Sequence, residues 1–140
     1  MRVFLDTNVL VSAVATRGLC ADVLREILSF HDLLVSEYLL AELRRDLTVK
    51  IGVTPEIVDE ILELLRQDTV LVASSKTMAI DLKDETDMPI VSAASDGKAD
   101  ILVSGDRELL NFGRVEHLRI LSPRQFWEEL KIQADEQSME

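Results

Sequence analysis

The 140-residue chain has the size of one compact domain, which leaves little room for a second. Apolar residues make up 47% of it and there are only 5 Gly and 3 Pro, a composition that excludes a disordered chain. The formal net charge of -11 argues against a non-specific nucleic-acid binder, because a negative surface repels phosphate.

Short apolar runs and segments with helical apolar spacing alternate along the chain. This alternation predicts an α/β protein with a mainly parallel sheet. In chain order the predicted elements are a strand at 3–5, helices at about 8–15 and 21–30, a strand at 33–35, a helix from Ser36 through Leu47, a helix beginning at Pro55, a strand at 70–72, a helix at 87–95, a strand at 101–103, a short helix at 107–112, a strand at 118–121 and a helix after Pro123.

We expect the folded domain to cover residues 1–131 and residues 132–140 to form a polar, frayed tail. That tail carries three acids and no Lys or Arg, so the rest of the chain carries a net charge of about -8. A metal that neutralised four clustered carboxylates would leave about -4. Basic residues that could form a local patch are Arg44, Arg45, Lys50, Lys98, Arg107, Arg114 and Arg124.

The sequence also predicts a compartment. The single cysteine, Cys20, has no second thiol with which to form an internal disulfide. No apolar run approaches the roughly 20 residues of a membrane span, and Asp6 interrupts the first one. We therefore expect a soluble, cytoplasmic protein with no membrane association.

The most informative residues are acids near the ends of predicted strands. Asp6 and Asp106 follow two buried-looking strands, Glu42 lies about two helical turns past the second strand, and Asp87 opens the helix before the fourth. Ligands of open α/β sheets bind at this carboxyl edge, where strand order reverses. Clustered carboxylates require protons or cations to neutralise them, and oxygen-only ligands favour Mg²⁺ or Mn²⁺.

Each acid also has a plain structural interpretation. Asp6 and Asp106 are suitable helix caps, and Asp87 suits the first turn of a helix. Glu42 could pair on the surface with Arg45, three positions along its helix. The individual residues therefore leave both interpretations open.

Taken together, the motifs resemble the PIN-domain family over about residues 3–127. The segments that carry the resemblance are Val3-Phe4-Leu5-Asp6-Thr7-Asn8, Ala41-Glu42-Leu43, Asp84-Glu85-Thr86-Asp87-Met88-Pro89-Ile90-Val91 with Ala93-Ala94, and Ala99-Asp100-Ile101-Leu102-Val103-Ser104-Gly105-Asp106 with Leu109-Leu110. Within that family, the sequence most resembles the toxins of toxin–antitoxin pairs.

The resemblance implies a three-layer α/β/α fold with about five parallel strands and a ribonuclease that uses Mg²⁺ or Mn²⁺. It further implies cleavage of single-stranded or structured RNA by a metal-activated water, a homodimer, and a separate antitoxin protein as partner. The family's acids correspond to Asp6, Glu42, Asp87 and Asp106, supported by Asn8 and Ser104. Asp84 competes with Asp87 as the third acid; helical register with Ala94 favours Asp87.

Two other functions fit parts of the sequence. An aspartyl-nucleophile phosphatase also has Asp after its first strand, but it needs a second Asp where this chain has Asn8. A catalytically degenerate protein-binding module is the other alternative, and the presence of all four acids disfavours it.

Overall fold

Strands and helices alternate along the chain as the apolar spacing predicts. The computed structural model describes residues 1–73 and 88–138. In this part of the chain the elements are β1 (Arg2–Leu5), α1 (Thr7–Ala15), α2 (Leu19–Phe30), β2 (Asp32–Val35), α3 (Glu37–Asp46), a π-helical turn (Leu47–Ile51), α4 (Pro55–Asp68), β3 (Val70–Leu71), α5 (Met88–Asp96), β4 (Ile101–Val103), α6 (Arg107–Phe112), β5 (Arg114–Val115), β6 (Leu118–Leu121) and α7 (Pro123–Ser138).

The strands form one sheet in the order β3-β2-β1-β4-β6-β5. All pairings are parallel among the described strands except that of β5 with β6. The chain runs outward from β1 through β2 to β3, and β4 then lies on the other side of β1. Strand order therefore reverses between β1 and β4, whose carboxyl ends flank the expected crevice.

The centre of the sheet is wholly apolar. Phe4 of β1 lies in register with Leu34 of β2 and Leu102 of β4, and all three side chains are fully buried. Continuous apolar strands are what a parallel sheet covered by helices on its faces requires. The predicted fold class, a mainly parallel sheet flanked by helices, is confirmed.

Two short elements differ from the sequence prediction. β5 has only two residues and pairs antiparallel with β6. The helix predicted to run through Leu47 ends at Asp46 and continues as the π-helical turn, which Gly52 closes with a left-handed backbone (φ 82°). An apolar spacing of four residues does not distinguish an α-helix from a locally wider turn.

The last helix is longer than the sequence suggested. α7 continues to Ser138, past residue 131, where we placed the end of the domain. The frayed tail at residues 132–140 stays a prediction. Within the described residues, no single helix is long and apolar enough to span a membrane. The pair α1 and α2 has that length and apolar character only when the two helices are counted together, and they are bent by 97° relative to each other.

Candidate active site

Asp6 lies at the carboxyl end of the central strand. Its backbone N–H donates to the carbonyl of Val103 at 2.9 Å, so the pairing of β1 with β4 continues to this residue. Its side chain is only 6% exposed. One carboxylate oxygen, Oδ1, accepts a hydrogen bond from the backbone N–H of Thr7 at 2.7 Å and so caps α1. The helix cap uses Oδ1 of Asp6, and Oδ2 has a different partner.

Ser104 holds the second oxygen of Asp6. Its hydroxyl donates to Oδ2 of Asp6 at 2.7 Å and accepts from the backbone N–H of Asp106 at 3.0 Å. The Ser104 side chain is fully buried, and its own N–H donates to the carbonyl of Leu121 on β6 at 2.9 Å. One hydroxyl therefore links the end of β1 to the loop that carries Asp106.

Asp106 caps the short helix α6. Its Oδ1 accepts from the backbone N–H groups of Glu108 at 2.8 Å and Leu109 at 3.2 Å. The plain interpretation of Asp106 as a helix cap is thus part of its role. It does not exclude metal binding, because within the described residues no donor contacts the other oxygen, Oδ2.

Glu42 reaches the site from α3 through a threonine. The Thr7 hydroxyl donates to Oε1 of Glu42 at 2.8 Å, and the Glu42 side chain is 18% exposed. The guanidinium of Arg45 lies 3.5 Å from the other oxygen of Glu42. Both interpretations of Glu42 therefore hold in part, since it pairs with Arg45 and also faces the residue next to Asp6.

Thr7 is a site residue that the sequence analysis missed. We singled out Asn8 from the same motif, yet Asn8 is exposed, and within the described residues its side chain makes no hydrogen bond. Successive helical residues point about 100° apart, so only one of the two can face Glu42 from the first turn of α1. The motif contained the signal, but the rotation of α1 about its axis selects Thr7. A supporting role for Asn8 stays a prediction.

The negative charge of Asp106 acts on the carboxyl of Asp6. Burial raises the pKa of the Asp6 carboxyl above its ordinary value of 3.8, the hydrogen bonds from Ser104 and Thr7 lower it, and the negative charge of Asp106 raises it. No Lys or Arg in the described residues pairs with either aspartate. The edge between β1 and β4 is therefore a place where a cation would relieve repulsion.

Both candidates for the predicted third acid lie outside the described residues. Asp84 and Asp87 lie outside residues 1–73 and 88–138, and α5 is described from Met88. Among the described residues, no three His, Cys, Asp or Glu side chains are close enough together to hold a metal ion. Of the predicted acids, Asp6 and Asp106 are linked through Ser104, and Glu42 is hydrogen-bonded to Thr7, the residue after Asp6.

Comparison with known proteins identifies the family. A model of the PIN domain matches residues 2–108, which include Asp6, Glu42, Ser104 and Asp106. This chain belongs to the PIN-domain family. No curated protein matches the chain.

Solved structures with the same fold share little sequence with this chain. VapBC2 from Rickettsia felis, bound to a DNA fragment from its promoter, is 18% identical, with a TM-score of 0.61 over 87% of this chain and 98% of that one. VapBC-1 from nontypeable Haemophilus influenzae is 19% identical, with a TM-score of 0.63 over 89% and 99%. FitAcB from Neisseria gonorrhoeae is 18% identical, with a TM-score of 0.54 over 86% and 97%. At these identities the likeness supports the fold alone.

Proposed function

We propose that this protein is a metal-dependent endoribonuclease that hydrolyses phosphodiester bonds with Mg²⁺ or Mn²⁺. The observation that carries the proposal is the pair Asp6 and Asp106, two carboxylates joined through Ser104 at the carboxyl edge of the sheet with no basic partner among the described residues. Membership of the PIN-domain family supports the same activity.

The donor chemistry fits a hard divalent cation. The side chains that meet at this edge offer carboxylate and hydroxyl oxygens, which Mg²⁺ and Mn²⁺ prefer over nitrogen or sulfur. A buried carboxylate beside a second one is costly unless a positive charge compensates both. Asp6 and Asp106 would hold the cation directly, while Glu42 and Asp87 would hold it directly or through water.

The chain's own residues would prepare the reaction by fixing carboxylate orientations. Ser104 orients Asp6, and Thr7 orients Glu42. The backbone N–H groups at the start of α6 hold Oδ1 of Asp106. The other oxygen of Asp106, Oδ2, would then be the atom that binds the cation. A bound divalent cation would lower the pKa of the attacking water and neutralise charge on the scissile phosphate. No side-chain nucleophile is needed. Asn8 stands where an aspartyl-nucleophile phosphatase would need a second Asp as its acid, which disfavours that alternative.

We further propose that the protein is the toxin of a type II toxin–antitoxin pair in the cytoplasm, with single-stranded or structured RNA as substrate. The sequence motifs resemble that group, and the VapBC and FitAcB structures support the proposal through their shared fold. A separate antitoxin chain would be its partner. A reading frame for a small protein next to its gene is the expected observation.

A homodimer is the assembly that we propose. Several large apolar side chains are exposed, among them Phe30 at 73% and Val49 at 76%. Exposed apolar surface in a small domain favours burial against another subunit. Light scattering on a sizing column should give the dimer mass, and a monomer mass at micromolar concentration would contradict the proposal.

The nuclease proposal can be tested directly. Purified protein should cleave labelled single-stranded RNA with Mn²⁺ and not with EDTA, and it should leave p-nitrophenyl phosphate intact under both conditions. Hydrolysis of p-nitrophenyl phosphate without RNA cleavage would instead indicate a phosphatase. Inactivity on both substrates, with an intact fold, would indicate a degenerate binding module.

A further inference from the structure

Among the described ion pairs, Arg45 is the one cation that pairs with a predicted acid of the candidate active site, Glu42. Its guanidinium lies 3.5 Å from Oε2 of Glu42 and 3.6 Å from Oδ1 of Asp46. Glu42 is in turn hydrogen-bonded to Thr7, the residue after Asp6. Arg45 is thus two contacts away from the residue that follows the central carboxylate.

The contacts of Arg45 leave its hydrogen-bonding capacity unused. Both acid oxygens lie beyond ordinary hydrogen-bond distance, and within residues 1–73 and 88–138 the guanidinium makes no hydrogen bond. Arg66, by contrast, donates two bonds to Glu37 at 2.9 and 3.0 Å. The Arg45 side chain is also 65% exposed. A ligand can therefore reach the guanidinium beside the candidate site.

Arg45 places a positive charge beside the candidate active site of an acidic protein. The chain carries a net charge of -11, so an approaching phosphate backbone meets repulsion unless a local cation compensates it. The planar guanidinium can donate two parallel hydrogen bonds to one phosphate. Its contacts with Glu42 and Asp46, at 3.5 and 3.6 Å, leave N–H donors that a phosphate could use.

We propose that Arg45 binds a phosphate of the RNA strand next to the scissile bond, an inference that rests on the proposed nuclease function. Arg44 provides a matched control. It is the preceding residue on α3 and carries the same charge, but it donates to Asp59 of α4 at 2.7 Å. The two arginine side chains therefore carry the same charge but contact different residues, Asp59 for Arg44 and Glu42 for Arg45.

The test measures binding separately from cleavage. Fluorescence anisotropy with labelled single-stranded RNA and Mn²⁺ would use Asp6→Asn protein, which is expected to be unable to cleave. Adding Arg45→Gln should raise Kd roughly fivefold to tenfold and reduce the slope of log affinity against log salt by about 0.7, the value for one lost phosphate contact on a single strand. Adding Arg44→Gln should change Kd less than about twofold, and Arg45→Lys should restore part of the affinity.

Activity and stability complete the test. In otherwise wild-type protein, Arg45→Gln should raise KM for RNA more than it lowers kcat, with an unchanged melting temperature. Equal losses of affinity for Arg45→Gln and Arg44→Gln would overturn the role of Arg45 while leaving the nuclease proposal intact. A wild type that does not cleave RNA, with no RNA binding by Asp6→Asn protein, would overturn both.

Discussion

The hydroxyl of Ser104 donates to Oδ2 of Asp6 at 2.7 Å, which joins two residues 98 positions apart at the point where strand order reverses. The same hydroxyl accepts from the backbone of Asp106. A single buried atom therefore sets both the orientation of Asp6 and the position of the second aspartate.

Ser104→Ala should leave a folded protein with much lower activity. The substitution removes the hydrogen bond that lowers the pKa of Asp6, so this carboxyl should titrate at higher pH in the variant. Losing an orienting partner of a metal ligand costs roughly 10- to 100-fold in metal affinity or activity. Mn²⁺-dependent cleavage rates and Mn²⁺ titrations measure both effects.

Ser95→Ala is the control for this substitution. Ser95 is also buried, and its hydroxyl donates to Glu116 at 3.3 Å and to neither aspartate. Its replacement should leave the rate within about twofold of wild type. Equal losses in the two variants would mean that Ser104 acts only on stability.

Thr7→Val should reduce cleavage more than Asn8→Ala does. Valine keeps the shape of threonine and removes the hydroxyl that holds Glu42 at 2.8 Å, whereas the Asn8 side chain is exposed. We expect a loss of roughly tenfold for Thr7→Val and recovery in Thr7→Ser, which keeps the hydroxyl. Steady-state rates of RNA cleavage would show which of the two variants loses more activity. A larger loss in Asn8→Ala would assign the orienting role to Asn8.

The burial of Asp6 predicts how stability depends on pH without metal. The folded pKa is raised above 3.8, so the folded chain binds more protons than the unfolded chain between the two values. The contribution of Asp6 to the free energy of unfolding therefore falls as pH rises from 3.8 through the folded pKa, and it stays low at neutral pH. Asp6→Asn removes this loss while it preserves the shape of the side chain.

In EDTA, the melting temperature of Asp6→Asn should equal that of wild type at low pH and exceed it near neutral pH. Each kcal/mol gained in the free energy of unfolding should raise the melting temperature by about 3 °C. Asp106→Asn should show a smaller gain, because the charge of Asp106 is one lesser cause of the shift in Asp6. Mn²⁺ should stabilise wild type more than either variant. Variants that melt lower than wild type at neutral pH, with no effect of Mn²⁺ on wild type, would assign both aspartates to helix capping alone.

Asp84 and Asp87 can be separated by matched substitutions, although both lie outside the described residues. Asp87 immediately precedes α5, and we therefore expect Asp87→Asn to lose much more activity than Asp84→Asn. Rates at saturating and limiting Mn²⁺ would compare the two variants. Equal losses, or the reverse order, would show that the third acid is assigned incorrectly.

The sequence predicted the positions of Asp6 and Asp106 because a short buried strand fixes where its carboxyl end lies. It did not predict Thr7, since the direction of a side chain in the first turn depends on how α1 is rotated against α3. β5 was missed because a two-residue antiparallel strand leaves no periodic signal. The π-helical turn was missed because Leu43 and Leu47 keep the spacing of a continuous helix.

In the proposed mechanism, acids led by Asp6 hold the cation that promotes RNA hydrolysis. The most direct measurement compares the Mn²⁺-dependent cleavage of labelled RNA by wild type and by Asp6→Asn, with circular dichroism to verify that both are folded. We predict cleavage by wild type and a loss of at least about 100-fold in the folded variant, because the substitution removes charge and little else. Wild-type activity in Asp6→Asn would contradict the mechanism.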